Sequence, residues 1–263
     1  MIKGISQLIL PDITISDFFT QASGAGYQCV ELVLSKEGEL TLASTKADIA
    51  KIYNLSKKYD LPIVSVTHSH CTGNLLASGD EQKRSIDETI KGLVIAKELD
   101  AKCTLHTLGS MKEDIFYNEA YSNAVCSLKS IAPAARDLDV CLAVEMVWNG
   151  FLFSPLEMKK LLDDVHDEYI GFYFDPGNMA VFQYPHHWIR ILGKHFKMMH
   201  LKEWKGNALD GDWPALLTGD INWVKIMAEL RNIGYNGPLI SEVDPALASL
   251  SETSDAIDKI ISM

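Results

Sequence analysis

Short runs of apolar, largely β-branched residues alternate eight times with longer amphipathic stretches, and this alternation constrains the fold more than any other feature of the chain. The short runs, read as strands, fall at 5–10, 29–34, 63–67, 103–107, 140–147, 171–174, 198–201 and 239–242. Helical periodicity follows each of them, over 16–23, 45–59, 81–99, 118–138, 155–166, 187–192, 223–233 and 249–261. Strands separated by helices pair in parallel through right-handed crossovers. Eight such units in 263 residues predict an α/β fold, a single (β/α)8 barrel with eight parallel strands, in one domain spanning 1–263. A doubly wound open sheet would want a glycine-rich loop after the first strand, and Leu10-Pro11-Asp12 is not one.

The chain carries a net charge of −11 and shows no basic stripe, so extended binding to nucleic acid is not expected. Its cysteines, Cys29, Cys71, Cys103, Cys126 and Cys141, are odd in number and widely spaced, as suits reduced thiols. The apolar run near the N-terminus, ending at Leu10, is too short for a signal or membrane-spanning helix. These features predict a cytoplasmic protein without a membrane partner.

In a closed barrel, functional groups project from the C-terminal strand ends. Four predicted strands end on potential metal ligands: Val144-Glu145, Phe174-Asp175, Met199-His200 and Ser241-Glu242. Each ionisable group ends an apolar run, where an unpaired charge is costly to bury. Taken singly, each could have a structural partner such as Lys197 or Lys202. Taken together on adjacent staves, three carboxylates would repel one another without a cation among them. Three oxygens and one imidazole suit a single divalent ion, with Mn²⁺ favoured and Co²⁺, Mg²⁺ and Zn²⁺ as alternatives.

His68, His70 and His106 close strands three and four. Alternation turns either His68 or His70 inward, and His68 is preferred; His68 and His106 are candidate substrate-binding residues, or donors to the carboxylates. Lys202, two residues beyond His200, faces the same side and can hold a substrate oxygen or phosphate. Trp148 and Trp204 stand where rims stack on sugars. Glu31 ends strand two and is read as bonding within the barrel. Residues 205–219 form a long βα segment that could act as a lid.

The ensemble resembles the xylose isomerase-like TIM-barrel superfamily, in particular its sugar (phosphate) isomerase/epimerase branch. The resemblance is carried by Gly26-Tyr27-Gln28-Cys29-Val30-Glu31-Leu32, Ala143-Val144-Glu145, Asp175-Pro176-Gly177-Asn178, His200-Leu201-Lys202-Glu203, Gly219-Asp220-Ile221-Asn222-Trp223 and Ile240-Ser241-Glu242. It implies that Glu145, Asp175, His200 and Glu242 hold the metal, and that Glu145 and Glu242 are also the catalytic acid/base pair. The implied reaction is isomerisation or epimerisation of a small ketose or sugar phosphate through a cis-enediolate; the alternative is a dehydratase of a cyclic polyol or 3-dehydroshikimate type. Asn178 departs from the histidine that ketose 3-epimerases of the superfamily often carry three residues after the aspartate. The apurinic-endonuclease branch also needs that histidine, with an Asp-x-His pair absent here. Lys202, Lys205 and the Gly219-Asp220 turn lie where such barrels bind phosphate, so a phosphorylated substrate is expected to be preferred. The expected partners are a small-molecule sugar or sugar phosphate and, as assembly, a homodimer.

Overall fold

A computed structural model, describing residues 1–68, 71–208 and 210–263, shows eight parallel strands closed into a barrel with helices between them. The elements run β1 (Ile2–Ser6), α1 (Ile15–Gly24), β2 (Cys29–Val33), α2 (Lys46–Tyr59), β3 (Ile63–Thr67) and α3 (Gly79–Glu98). There follow β4 (Cys103–His106), α4 (Tyr117–Leu138), β5 (Cys141–Glu145), α5 (Pro155–Val165), β6 (Ile170–Phe174), α6 (Pro176–Ala180) and α7 (Pro185–Leu192). The chain ends with β7 (Phe196–Leu201), a hairpin of β8 (Lys205–Asn207) and β9 (Asp210–Asp212), α8 (Trp223–Asn232), β10 (Pro238–Ser241) and α9 (Leu250–Ser262). Around the barrel the order is β1 to β7, then β10, which pairs back onto β1.

Alternation along each strand sorts the side chains into two layers. Cys103, Leu105, Ala143, Tyr173, Met198 and Ile240 cluster together and fill the barrel. Their strand neighbours, among them Leu142, Val144, Phe172, Phe174 and Leu239, face outward and join Leu128, Trp188 and Ile226 of the helices in the larger core. Helix starts are set locally: Thr45 and Asp48 form a capping box on α2, and Ser249 and Glu252 form one on α9. Asp60 and Asp139 end α2 and α4 in the left-handed region, at φ 53° and 55°.

The first strand lies at Ile2–Ser6 rather than at 5–10. Packing decides this. A Cβ on Gly4 would lie 2.7 Å from Cys29 Sγ and 3.2 Å from Ile240 Cγ1, so the bare glycine lets β2 and β10 close on β1. After Ser6 the chain leaves the sheet in a 3₁₀ turn, Gln7–Ile9, whose Leu8 N–H donates to Ser6 Oγ. Among the described residues no helix is long and apolar enough to cross a membrane.

Candidate metal centre

Glu145 is the last residue of β5, His200 lies in β7, and Asp175 and Glu242 directly follow β6 and β10. Consecutive barrel strands thus bring all four to one rim, each offering one ligand atom, and these atoms lie within 4.8 Å of one another. Glu145, Asp175 and His200 are buried. Asp175 doubles as the N-cap of α6: its Oδ1 accepts from the Gly177 and Asn178 N–H groups at 2.8 and 3.2 Å, which points Oδ2 at the cluster. His200 Nδ1 stands 3.4 Å from Glu145 Oε1 and 3.5 Å from Glu242 Oε2.

His200 Nδ1, Asp175 Oδ2 and Glu242 Oε2 are buried and make no hydrogen bond of good geometry, the two carboxylate oxygens having only the Lys202 ammonium as a charged neighbour. Orphaned buried polar atoms are costly. Together with the third carboxylate, Glu145, these atoms form a set of three carboxylates and one imidazole that fits a divalent cation. Burial, with the neighbouring Asp175 and Glu242 charges, pushes the Glu145 carboxyl up to about 7, against the pull of His200.

Behind the ligands lies a fully buried network. His200 Nε2 is 2.8 Å from Glu31 Oε1, which also accepts from Ser6 Oγ at 2.8 Å, while Glu31 Oε2 accepts from Tyr173 OH at 2.7 Å. The strand register shifts at Val30/Glu31 and at Phe172/Tyr173, next to the two residues that meet. Burial opposes the Glu31 charge, but His200 and the hydrogen bonds hold its carboxyl below the ordinary value. Burial likewise opposes the His200 charge, yet Glu31 and Glu242 raise its pKa well above normal. Glu31 therefore fixes a proton on Nε2 and turns Nδ1 toward the cluster. The interior role read for Glu31 holds.

Lys202 reaches the same rim. Its Nζ lies 3.1 Å from Asp175 Oδ2 and 2.6 Å from Glu242 Oε2. Burial opposes this ammonium, but Asp175, Glu242 and Glu145 outweigh it and raise its pKa. A cavity of about 430 Å³ opens beside Lys202 and Glu242, walled by Trp213, Pro214 and Leu247, with Asp212 and Asp244 adding carboxylates. Asn178 donates from Nδ2 to Glu145 Oε1 at 3.4 Å, and its backbone carbonyl accepts from Trp148 Nε1 at 3.1 Å.

The segment after β7 folds as the β8/β9 hairpin and is tied down by an acidic residue at its start. Glu203 is buried. It accepts from the N–H groups of Trp204, Leu217 and Ile221 and from Trp223 Nε1, at 2.8–3.2 Å. Asp220 accepts from Gly206 N–H at 2.9 Å, holding the hairpin rather than the tetrad. The signal available was Glu203 itself, an acid inside His200-Leu201-Lys202-Glu203, which reads equally well as a mate for Lys202.

His68 and His106 are not brought to the tetrad. β4 pairs so that Leu105 matches Ala143 on the interior face and His106 matches Val144 on the outer one. His106 Nδ1 accepts from Leu108 N–H, and its Nε2 meets Thr72 Oγ1, both at 2.8 Å, so both nitrogens are engaged. Burial lowers its pKa to about 4. His68 lies edge-on to His106 at 5.5 Å and packs on α3, where a Cβ on Gly92 would come within 3.0 Å of Nδ1. Inward alternation therefore fails for His68: its ring lies in the layer between strands and helices. His70 lies outside the described residues.

Residues 19–260 match the family model described as xylose isomerase-like TIM barrel. The chain is 24% identical to L-ribulose 3-epimerase of Methylomonas sp. (strain DH-1), over 87% of this chain and 80% of that protein. Among solved structures it resembles a D-tagatose 3-epimerase-like protein, with a TM-score of 0.86, 19% identity and coverage of 100% and 97% of the two chains. It also resembles D-psicose 3-epimerase crystallised in the presence of D-fructose, with a TM-score of 0.83, 16% identity and full coverage of both chains.

Proposed function

Because the chain belongs to the xylose isomerase-like TIM-barrel family, we propose that its rim cluster is the active site of a divalent-metal-dependent isomerase or epimerase of a small ketose. One observation carries this reading: one ligand atom each of Glu145, Asp175, His200 and Glu242 lies within 4.8 Å of the others, three carboxylates and an imidazole gathered at one rim. Those four residues would hold one ion, Mn²⁺ in the first instance. When bound, the ion supplies a Lewis acid that polarises a carbonyl and eases loss of the proton beside it.

The chain's own residues do the rest. Glu145 and Glu242 reach the cluster from β5 and β10, with β6 and β7 between them. One carboxylate takes the proton from the substrate carbon, leaving an enediolate, and the other returns a proton to the opposite face. Lys202 presents its ammonium to the cavity and can hold a substrate oxygen.

The same cavity opposes the expected preference for phosphate. Its charged walls are Lys202, Glu203, Asp212, Glu242 and Asp244. Lys202 is already paired with Asp175 and Glu242, and a phosphate dianion entering there meets net negative charge. Unphosphorylated ketoses are the better fit. Relatives that act on L-ribulose or carry the name of D-psicose or D-tagatose epimerases support this direction.

Incubation of the Mn²⁺-loaded protein in D₂O with free ketopentoses and ketohexoses, followed by NMR of the products, tests the reading. Deuterium at an epimerised or isomerised carbon, abolished by chelator, is the expected result. Elimination of water would identify a dehydratase instead, and equal turnover with and without chelator would remove the metal from the account.

A further inference from the structure

Three tryptophans form a cluster beside the cavity. Trp148 stacks on Trp213 at 4.9 Å with planes 29° apart, and Trp204 meets Trp213 edge-on at 5.1 Å. An indole N–H is a donor only, and when buried it almost always finds an acceptor. Trp148 Nε1 donates to Asn178 O at 3.1 Å and Trp204 Nε1 to Gly206 O at 3.2 Å. Trp213 Nε1 is buried and has no acceptor.

That difference coincides with position. Trp213 follows β9 directly and walls the cavity that also contains Lys202 and Glu242. Its backbone is held, with its N–H donating to Asp212 Oδ1 at 2.8 Å. The hairpin before it sits tightly on Trp204, where a Cβ on Gly211 would lie 2.3 Å from the ring. The indole is thus buttressed by two other indoles, one stacked on it and one edge-on, and its single polar atom is left unspent.

We propose that Trp213 determines specificity for the substrate's distal end: its ring packs against the C–H face of the carbon chain and its Nε1–H donates to a hydroxyl remote from the reacting carbon. This rests on the ketose reading above and adds the element that tells one ketose from another. A ligand with a hydroxyl at that point satisfies the donor. A ligand without one leaves it buried and unpaired, which penalises binding without touching the proton-transfer groups.

The test uses Trp213→Phe, which keeps an aromatic wall and deletes the donor, and Trp213→Leu, which removes the aromatic ring as well. Steady-state kinetics with Mn²⁺ and a panel including D-fructose, D-tagatose, D-psicose and L-ribulose would be combined with Mn²⁺ titration and ¹⁵N–¹H spectra. For the best substrate, Trp213→Phe should raise KM about 3- to 10-fold, the value of one neutral hydrogen bond, with kcat within about 2-fold. The Mn²⁺ affinity of the variant should equal that of the wild type. The indole N–H peak missing from the Trp213→Phe spectrum should be the one that shifts when wild-type protein meets the ketose. A wild type active on the panel, with unchanged KM in both variants and that peak unmoved, overturns the assignment of Trp213 alone. A metal-loaded wild type that neither binds nor converts any ketose overturns this assignment together with the reading beneath it.

Discussion

Replacing Glu31 with glutamine should perturb the proposed metal centre without touching any of its four residues. Glu31 is fully buried, and its oxygens take three hydrogen bonds, from Ser6, Tyr173 and His200. A glutamine has one acceptor oxygen where the carboxylate has two. If that oxygen faces His200, the amide NH₂ confronts the Tyr173 hydroxyl, which must reverse. If the NH₂ faces His200, Nε2 must become an acceptor, the proton moves to Nδ1, and the ligand lone pair is lost. Either way the negative charge 2.8 Å from the imidazole disappears. Removing a partner behind a metal ligand typically weakens binding about 10- to 100-fold, which is about 1.4–2.7 kcal/mol. Calorimetric titration of Mn²⁺ into Glu31→Gln should show a loss in that range. Tyr173→Phe, which keeps the Glu31–His200 contact, should lose less than about 3-fold. A folded Glu31→Gln protein binding Mn²⁺ within about 2-fold of wild type would refute the role assigned to this network.

Loading with Mn²⁺ at about 100 times its Kd should stabilise the protein by about 2.7 kcal/mol and raise Tm by about 5–10 °C, reversibly with chelator. Thermal unfolding without any shift would speak against the tetrad. Metal affinity should rise with pH. Glu145, pushed up from 4.5 to about 7, and His200, also raised, hold protons that the ion must displace. Stability from groups raised in this way is fully present below their unfolded values and is lost as pH climbs. In the metal-free protein the Glu145 contribution should therefore be lost from about pH 4.5 to about 7 and that of His200 as pH climbs above 6.5, while Mn²⁺ binding gains about 10-fold per pH unit for each proton released. Calorimetry in two buffers of different ionisation heat counts those protons, and a pH-independent affinity would contradict the assignment. Glu203→Gln leaves part of a four-donor set without an acceptor, at about 1–3 kcal/mol for each group left unpaired. Its Tm should fall by about 5–10 °C with the Mn²⁺ affinity retained; an unchanged Tm would show that Glu203 does not hold the hairpin.

The convergence of these four side chains was legible because each follows an apolar run: Glu145 after Leu142-Ala143-Val144, His200 after Met198-Met199. Position along a strand is enough to place a residue on a rim. It does not say which face the residue takes. His68 and His106 carry the same signal, but register decides their direction. Cys103 and Leu105 take the interior places on β4, and the outer layer can receive imidazoles because Gly92 leaves room and Thr72 supplies a partner. Long-range partners were the least legible. Nothing near Glu31 in sequence announces Tyr173 or His200, at separations of 142 and 169 residues. The β8/β9 hairpin was hidden because its strands are only three residues long and fully exposed, with no apolar alternation to mark them.

The division of labour between the two glutamates is the centre of the proposed mechanism, and deuterium exchange probes it most directly. Glu145→Gln and Glu242→Gln each keep an oxygen for the ion and lose the ability to carry a proton. At saturating Mn²⁺ both variants should turn over at least about 100-fold more slowly than wild type. In D₂O each should still wash deuterium into one stereoisomer of the ketose more than into the other, with opposite preference in the two variants. Near wild-type turnover in the metal-saturated double variant, or the same stereochemical preference in both single variants, would contradict the account.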